Sequence, residues 1–496
     1  MPAVKSQSPQ EIFFTYRDAG QARRLQRMAK SGELTRIAAG IYTQNGSVEE
    51  IEARVRRNWQ QIAGHLVPGA VVSHISAFTK GLTDAGYLTL SHPTRYNKTI
   101  RLPGVTLILL RGPLQLPGDF ALGHTGLFWS SQARMLMENL GSVATSRPTR
   151  AGRKAVEERL VALMNVEKED GLNRLRDAAR SLYVGMNADA SWTELNNLIS
   201  ALLKTHSKGI LKTESGRFLV KGSPVDNERL FRLNGLASAL RATPLPHLPD
   251  VAATGAGMIH FAFIESYFSN FVEGTRFSVE EAEDIVLRNQ INESRPKDSH
   301  DVLGVFNQAL QPGSRNTLPA PGAQFLTGLQ QRHRAMLARR PESHPGELKT
   351  VSNWAGTTQF VEPIFVGGTM ELGSQIALTV PEGLARAIYY AFLVSEIHPF
   401  VDGNGRLSRL TMNAELSRLG LCRVIIPTLF HPQYVDCQRA LSQNNEAQGF
   451  IAAIRKMAEW CAQFDYSKLD ALIVDLKKCN AFEESLVRFK LLDLPN

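Results

Sequence analysis

The sequence predicts a mainly α-helical protein: a C-terminal half built almost wholly of helices with one small β flap, preceded by an α+β region and a helical connecting region. Three observations carry this reading. From about residue 246 onward, apolar residues recur at helical spacing in one segment after another, as in IHFAFIESYFSNF and PEGLARAIYYAFLVSEI. Within that half only TTQFVEPIFVGG reads as a strand. Before residue 145, by contrast, β-branched runs are broken by Pro and Gly. A length of 496 residues calls for two or three domains, and 43% hydrophobic with 21% charged residues excludes disordered and fibrous classes.

The first region spans residues 1–145. In QARRLQRMAKSGELTRIAAGIYTQ the spacing predicts a helix, a turn at Gly32, a second short helix and a strand at GIYT, with Arg23, Arg24, Arg27 and Lys30 on the polar side of the first helix. VVSHISAFTKGL reads as helical, and YLTLSHPTRYNKTIRLPGVTLILLRG as strands and turns. ELTRIAAGIYT, GAVVSHISAFTKGL and SSQARMLMENL resemble the winged-helix N-terminal half of AbiEi-type antitoxins and related transcriptional regulators. That resemblance implies a DNA partner, with the basic helix residues and Arg36 against the phosphate backbone. A solvated helix face accounts for the same cations equally well. The formal charge of +9 is similarly two-sided, fitting a polyanionic partner or a basic surface in water.

No apolar leader follows the start MPAVKSQSPQEIFF, and the longest apolar run, AIYYAFLV, falls short of the roughly 20 residues a bilayer span needs. A cytoplasmic protein with no membrane partner is expected. Cys422, Cys437, Cys461 and Cys479 show no C-x-x-C spacing, so they read as buried apolar residues, with neither a disulfide framework nor a zinc site.

The second region, 146–245, opens on the exposed VATSRPTRAGRK, continues through two helical patterns, AVEERLVALMNVEKEDGLNRLRDAARSLYVGM and WTELNNLISALLKTHS, and ends in the Pro-rich ATPLPHLPD. It carries no chemical motif. The third region, 246–496, holds the helices named above together with SVEEAEDIVLRNQI, AQFLTGLQQRHRAML, RLSRLTMNAELSRLGL and YVDCQRALSQN.

Between two of these helices lies HPFVDGNGRLSR, residues 398–409. His398 stands where Pro399 ends the preceding helix, and D-G-N-G is a turn of residues that tolerate positive φ. A Gly-rich turn entering a helix aims unpaired backbone N–H groups outward at the positive end of the helix dipole, which makes an anion site. Arg406 and Arg409, three apart, project from one face beside it, a pairing suited to polyphosphate. Asp402 offers an oxygen ligand for Mg²⁺, and His398 a group able to take a proton near neutral pH. Singly each has a structural explanation: a helix cap, turn formers, surface ion pairs.

Together these residues match, position for position, the Fic family signature H-x-F-x-[D/E]-G-N-G-R-x-x-R. The resemblance, over roughly residues 246–465, implies an all-helical Fic domain and a nucleotidyltransferase that moves AMP from ATP to a Ser, Thr or Tyr hydroxyl of a target protein. It makes His398 the general base, Asp402 the Mg²⁺ ligand, Gly403, Asn404 and Gly405 the phosphate loop, Arg406 and Arg409 the phosphate clamps, and Phe400 the anchor of the loop. Ser269, Glu273 and Gly274 in YFSNFVEGTRFSVEEA match the family's inhibitory motif [S/T]-x-x-x-E-[G/N], which implies that Glu273 pairs with Arg409 and blocks productive ATP binding. Phe360 and Val361 match the flap that aligns the target by strand addition, although Glu362 stands where Pro is common. Cys437 and Gln438 replace a Tyr pair of the adenine pocket, whose Asn is retained as Asn445. The expectation is an autoinhibited adenylyltransferase using ATP and Mg²⁺. The alternative is a DNA-binding regulator, antitoxin-like, whose Fic domain senses nucleotide. The sequence leaves open whether AMP is added or removed.

Overall fold

A computed structural model describes residues 10–15, 19–144, 148–204 and 210–495. The chain forms two compact units, Met1–Val220 and Lys221–Asn496. The boundaries read from the sequence, near 145 and 245, differ from this division. Helices Arg153–Met186 and Asp189–Leu202 share a core with Gln132–Glu138 in the first unit, whereas helix Asn227–Ala242 buries Leu233, Leu236 and Leu240 in the core of the second.

The first unit opens with a three-stranded antiparallel sheet in which Ile41–Gln44 lies between Ile12–Phe14 and Leu34–Ala38, covered by helix Ala19–Lys30 through Leu25. The second helix expected from ELTRIAAG is therefore a strand. Gly32 and Gly40, at φ +82 and +73, both take the left-handed turn conformation, and between them Thr35 and Ile37 add β-branched residues to a segment that pairs with IYTQ more readily than it coils. A six-stranded sheet follows, in the order Lys98–Leu102, Val105–Arg111, Tyr87–His92, Val71–Val72, Phe128–Trp129, Phe120–Ala121. Its three longest strands are those read from YLTLSH…LLRG. VVSHISAFTKGL, expected to be helical, starts as the strand Val71–Val72 and becomes a helix only over His74–Phe78.

The second unit is helical around Leu384–Ile397, whose residues are almost all buried, so that it is apolar on every side as a central helix must be. Asn404–Arg418, Asn227–Ala242 and Pro363–Ile376 pack on it, and Gly255–Phe271 packs on Asn404–Arg418. The strand read from TTQFVEPIFVGG is half right. Trp354–Ala355 and Thr358–Gln359 form a hairpin, but Pro363 then starts the helix Pro363–Ile376. Pro at a first helical position is preorganised for that role. Of the two glycines that disguise this helix, Gly368 serves close packing, since a Cβ there would stand 2.4 Å from the Ser223 carbonyl oxygen, whereas Gly367 faces open space.

The four cysteines are free thiols, three of them buried. No helix of the described residues is long and apolar enough to cross a membrane.

Candidate active site

His398 caps helix Leu384–Ile397 in the left-handed conformation, φ 54 and ψ 60, which swings its side chain out of the helix line. Its Nδ1 lies 3.2 Å from the Ser395 carbonyl oxygen. A carbonyl can only accept, so Nδ1 carries the proton and Nε2 keeps its lone pair. The Phe360 ring stacks on the imidazole at 3.7 Å and 10°. Burial under this ring, reinforced by the nearby Lys349 charge, brings His398 down to about 4, so it is an unprotonated base at neutral pH.

The loop after it is held from inside. Phe400 is fully buried and stacks on His333 at 3.9 Å and 5°. The Gly346 N–H donates to His333 Nδ1, 2.9 Å, which leaves Nε2 as the donor to the Asp402 carbonyl oxygen, also 2.9 Å. The buried Asn404 side chain accepts from the Phe400 N–H, 3.0 Å, and donates to the Phe400 carbonyl, 2.8 Å. Asn404 thus contributes the shape of the loop through its side chain. Gly403 at φ +76 turns the chain into helix Asn404–Arg418, where a Cβ would approach Leu337 Cδ1 to 2.8 Å.

Asp402 is half exposed. Its Oδ1 accepts from the Gly403 N–H at 2.6 Å, and its Oδ2 is 3.2 Å from Arg406 Nη2. Arg406 is buried, with Nη1 3.3 Å from Asp301 Oδ2, while its Nε is buried without a hydrogen-bond partner among the described residues. Arg409, also buried, donates from Nε to Ser269 Oγ and from Nη2 to the Ser269 carbonyl, each 3.0 Å, and from Nη2 to Glu273 Oε1 at 2.8 Å. Glu273 follows the end of helix Gly255–Phe271, and Gly274 at φ +96 closes the turn. Burial would raise the Glu273 pKa, but the Arg409 charge and hydrogen bond outweigh it and hold the carboxyl below its ordinary range. A Cβ on Gly405 would stand 2.1 Å from Glu273 Oε1, so the carboxylate lies directly against the N-terminal turn of helix Asn404–Arg418. It sits where that helix end attracts an anion.

These groups open onto a cleft of about 250 Å³ lined by His398, Phe360, Gly405, Arg409 and Glu273, with His431, Tyr434, Gln438 and Ser442 opposite. Sequence reading missed Asn270, Asp301, Lys349, Asn353, His431 and Tyr434. Asn270 stands inside the inhibitory motif, at a position that the motif leaves open, with its Oδ1 3.4 Å from Arg406 Nη1; the others come from elements outside both motifs, and none has a spacing that would have singled it out. Gln438 lines the cleft, while Cys437 is turned toward Gly449. Asn445, expected at the adenine, does not line this cleft. It caps helix His431–Asn444 in the left-handed conformation, with its amide beside Gly235. Of the flap pair, Phe360 reaches the cleft, whereas Val361 is buried in the core.

Residues 326–416, which contain the flap and the whole of HPFVDGNGRLSR, match the Fic/DOC family. The chain is similar to the protein adenylyltransferase fic-1 of Caenorhabditis elegans, 23% identical over 194 residues, covering 38% of each chain. It is 25% identical over 248 residues to the protein adenylyltransferase Fic of Culex quinquefasciatus, covering 47% of this chain and 46% of that one. Over 79 residues it is 39% identical to the protein adenylyltransferase Fic of Drosophila mojavensis, 16% of this chain and 15% of that one. The chain thus spans less than half the length of these relatives, and Ser269, Glu273 and Gly274 lie outside the family match.

Proposed function

We propose that this chain is an autoinhibited protein adenylyltransferase, moving AMP from ATP to a Ser, Thr or Tyr hydroxyl of a target protein. The observation that carries the proposal is the Glu273 carboxylate on Arg409, 2.8 Å away, against the helix turn that begins the anion loop. A carboxylate at its own helix's C-terminal end opposes that helix's dipole and gains its stability from the cation it meets. In this reading Glu273 occupies the place of a terminal phosphate, and its departure frees Arg409 for one.

With Glu273 withdrawn, the backbone N–H groups at Asn404–Arg406 and the Arg406 and Arg409 guanidinium groups hold the phosphates, while the Gly403 N–H stays on Asp402 Oδ1. Asp402 fits a divalent cation of the Mg²⁺ type, being one solvent-facing carboxylate beside a phosphate site. Among the described residues it belongs to no group of three or more ligating side chains, so phosphate oxygens and water would complete the shell. When bound, the cation supplies positive charge to the α and β phosphates. His398 Nε2 takes the target's hydroxyl proton as that oxygen bonds to the α-phosphorus, the bond to the bridging oxygen breaks, and pyrophosphate leaves. A base with a pKa of about 4 is weak, which suits a loose phosphoryl-type transition state where positioning and charge do most of the work.

The test compares wild type, Glu273→Gly and Glu273→Gly/His398→Ala, each with Mg²⁺ and α-labelled ATP, following label on the protein itself and in a lysate. Label that appears with the first variant and disappears with the second is the expected result. A released variant silent with every nucleotide would overturn it.

A second reading attaches to the first unit, where Arg23, Arg24, Arg27 and Lys30 are exposed on one helix and none pairs with a carboxylate among the described residues. We propose a DNA-binding, regulator-like role for this face. Of the winged-helix pattern read from the sequence, this region has the first helix and the Leu34–Gln44 hairpin, while the expected second helix is a strand. Full-length protein should bind duplex DNA with an affinity that falls steeply with salt, and charge reversal of Arg23 and Arg27 should abolish it. Binding that survives the reversal would remove this role.

A further inference from the structure

Lys349 is buried, 3% exposed, and among the described residues no carboxylate lies within ion-pair distance of it. A buried ammonium without a counter-ion is costly, and only hydrogen bonds offset part of that cost. Burial, with a smaller contribution from the Arg229 charge, brings its pKa down to about 8. Its Nζ donates to Asn353 Oδ1 at 2.7 Å and reaches the Ile397 carbonyl oxygen at 3.4 Å, at the last residue before His398. The same nitrogen lies 5.9 Å from the centre of the Phe360 ring.

The backbone repeats the connection. The Lys349 N–H donates to the Pro399 carbonyl at 3.0 Å, and the Phe360 N–H to the Asn353 carbonyl at 3.1 Å. Asn353 Nδ2 donates to the Phe400 carbonyl, 3.0 Å. Every bond in this set joins the flap segment, residues 349–360, to itself or to the catalytic loop, residues 397–400. The one ring they bring to the cleft is Phe360, stacked on His398.

We propose that Lys349 and Asn353 form a latch that fixes the flap to the catalytic loop, so that Phe360 stays on the His398 ring and Nε2 is held dry and aimed into the cleft. Lys349 is a positioning residue, acting on the transferred group only through His398 and the flap. The inference rests on the reading of His398 as the base, but its central claim, that the latch controls the imidazole's surroundings, is measurable without any transfer.

The experiment uses full-length Glu273→Gly protein labelled at histidine Cε1, with His398→Gln identifying the His398 signal. Its NMR titration is followed in that parent and after adding Lys349→Met or Asn353→Ala. The His398 signal should stay flat above about pH 5 in the parent and titrate with a midpoint moved upward by one unit or more in both variants. Losing the Lys349 charge would by itself raise the His398 pKa, so Asn353→Ala is decisive: it keeps the cation and cuts the link. ATP·Mg²⁺ affinity by calorimetry should change less than about threefold, while label transfer falls at least about tenfold. A flat His398 signal in Asn353→Ala would overturn the latch, even if the variant is less stable. If the parent transfers no label at all, the transferase reading fails, and the titration still decides the latch. Should Lys349→Met not fold, Asn353→Ala alone carries the same test.

Discussion

The His398 imidazole is the residue on which the proposed chemistry turns, and its surroundings set a pH dependence. Its folded pKa lies near 4, below the ordinary 6.5, so the ring is the free base above about 4 and loses that function only as pH falls through it. The acid limb of the released enzyme's pH–rate profile should therefore lie below about pH 5, with no inflection near 6.5 from this group. Phe360→Ala, which opens the stacked face to water, should move the limb up toward 6.5, the unperturbed histidine value. A profile of Glu273→Gly that already halves near 6.5 would mean that the ring is solvated and the stack unimportant. At this scale the sequence was highly legible wherever the chemistry is local. Twelve consecutive residues contain the proposed base, the proposed cation ligand, the candidate anion loop and both arginines, so no fold was needed to bring them together. Glu273 is 136 residues from Arg409, and its pairing was expected only because its own short motif could be read. Asp301 and His431 carry no such motif and became visible only through packing.

At the scale of elements, the loop from Pro399 to Gly403 is shaped by side chains whose partners are backbone. Asn404→Ala removes both of its bonds to Phe400. The Phe400 carbonyl keeps the Asn353 bond, 3.0 Å, but its N–H is left buried and unpaired. The expected cost is about 1–3 kcal/mol of stability. The transfer activity of the released enzyme should fall further than that loss alone explains, because the anion loop loses its fixed shape. Urea unfolding and label transfer on the same samples separate the two effects. Asn404→Asp should recover part of the stability, since a carboxylate still accepts from the Phe400 N–H, and little of the activity. The elements misread from the sequence share a cause. In ELTRIA and in PIFVGG the local pattern was ambiguous over a short window, and the outcome was decided by partners elsewhere: the IYTQ strand for one, the Ser223 and Pro224 carbonyls against Gly368 for the other. Long periodic helices such as Leu384–Ile397 were legible because their own burial pattern settles them.

For the molecule as a whole, the division after Val220 has a consequence that the Pro-rich boundary near residue 245 would not. Helix Asn227–Ala242 places Leu233, Leu236 and Leu240, each at most 1% exposed, in the core of the second unit. At roughly 1.5–3 kcal/mol for each buried leucine, cutting at 246 forfeits about 5–9 kcal/mol. The whole net stability of a domain is only about 5–15 kcal/mol. The same cut removes Arg229 and Arg232, the partners of Glu396, which is 2% exposed and would be left as a buried unpaired carboxylate. A fragment of residues 221–496 should therefore unfold cooperatively in urea and, with Glu273→Gly, transfer label, whereas residues 246–496 should show no cooperative transition. Circular dichroism of the two fragments across a urea series is sufficient to tell. Equal folding of both would mean that the helix is an accessory to the core, and that Glu396 can find water once its arginines are gone. The shorter fragment failing alone would make residues 227–242 part of the second unit's foundation, despite carrying no chemical motif of their own.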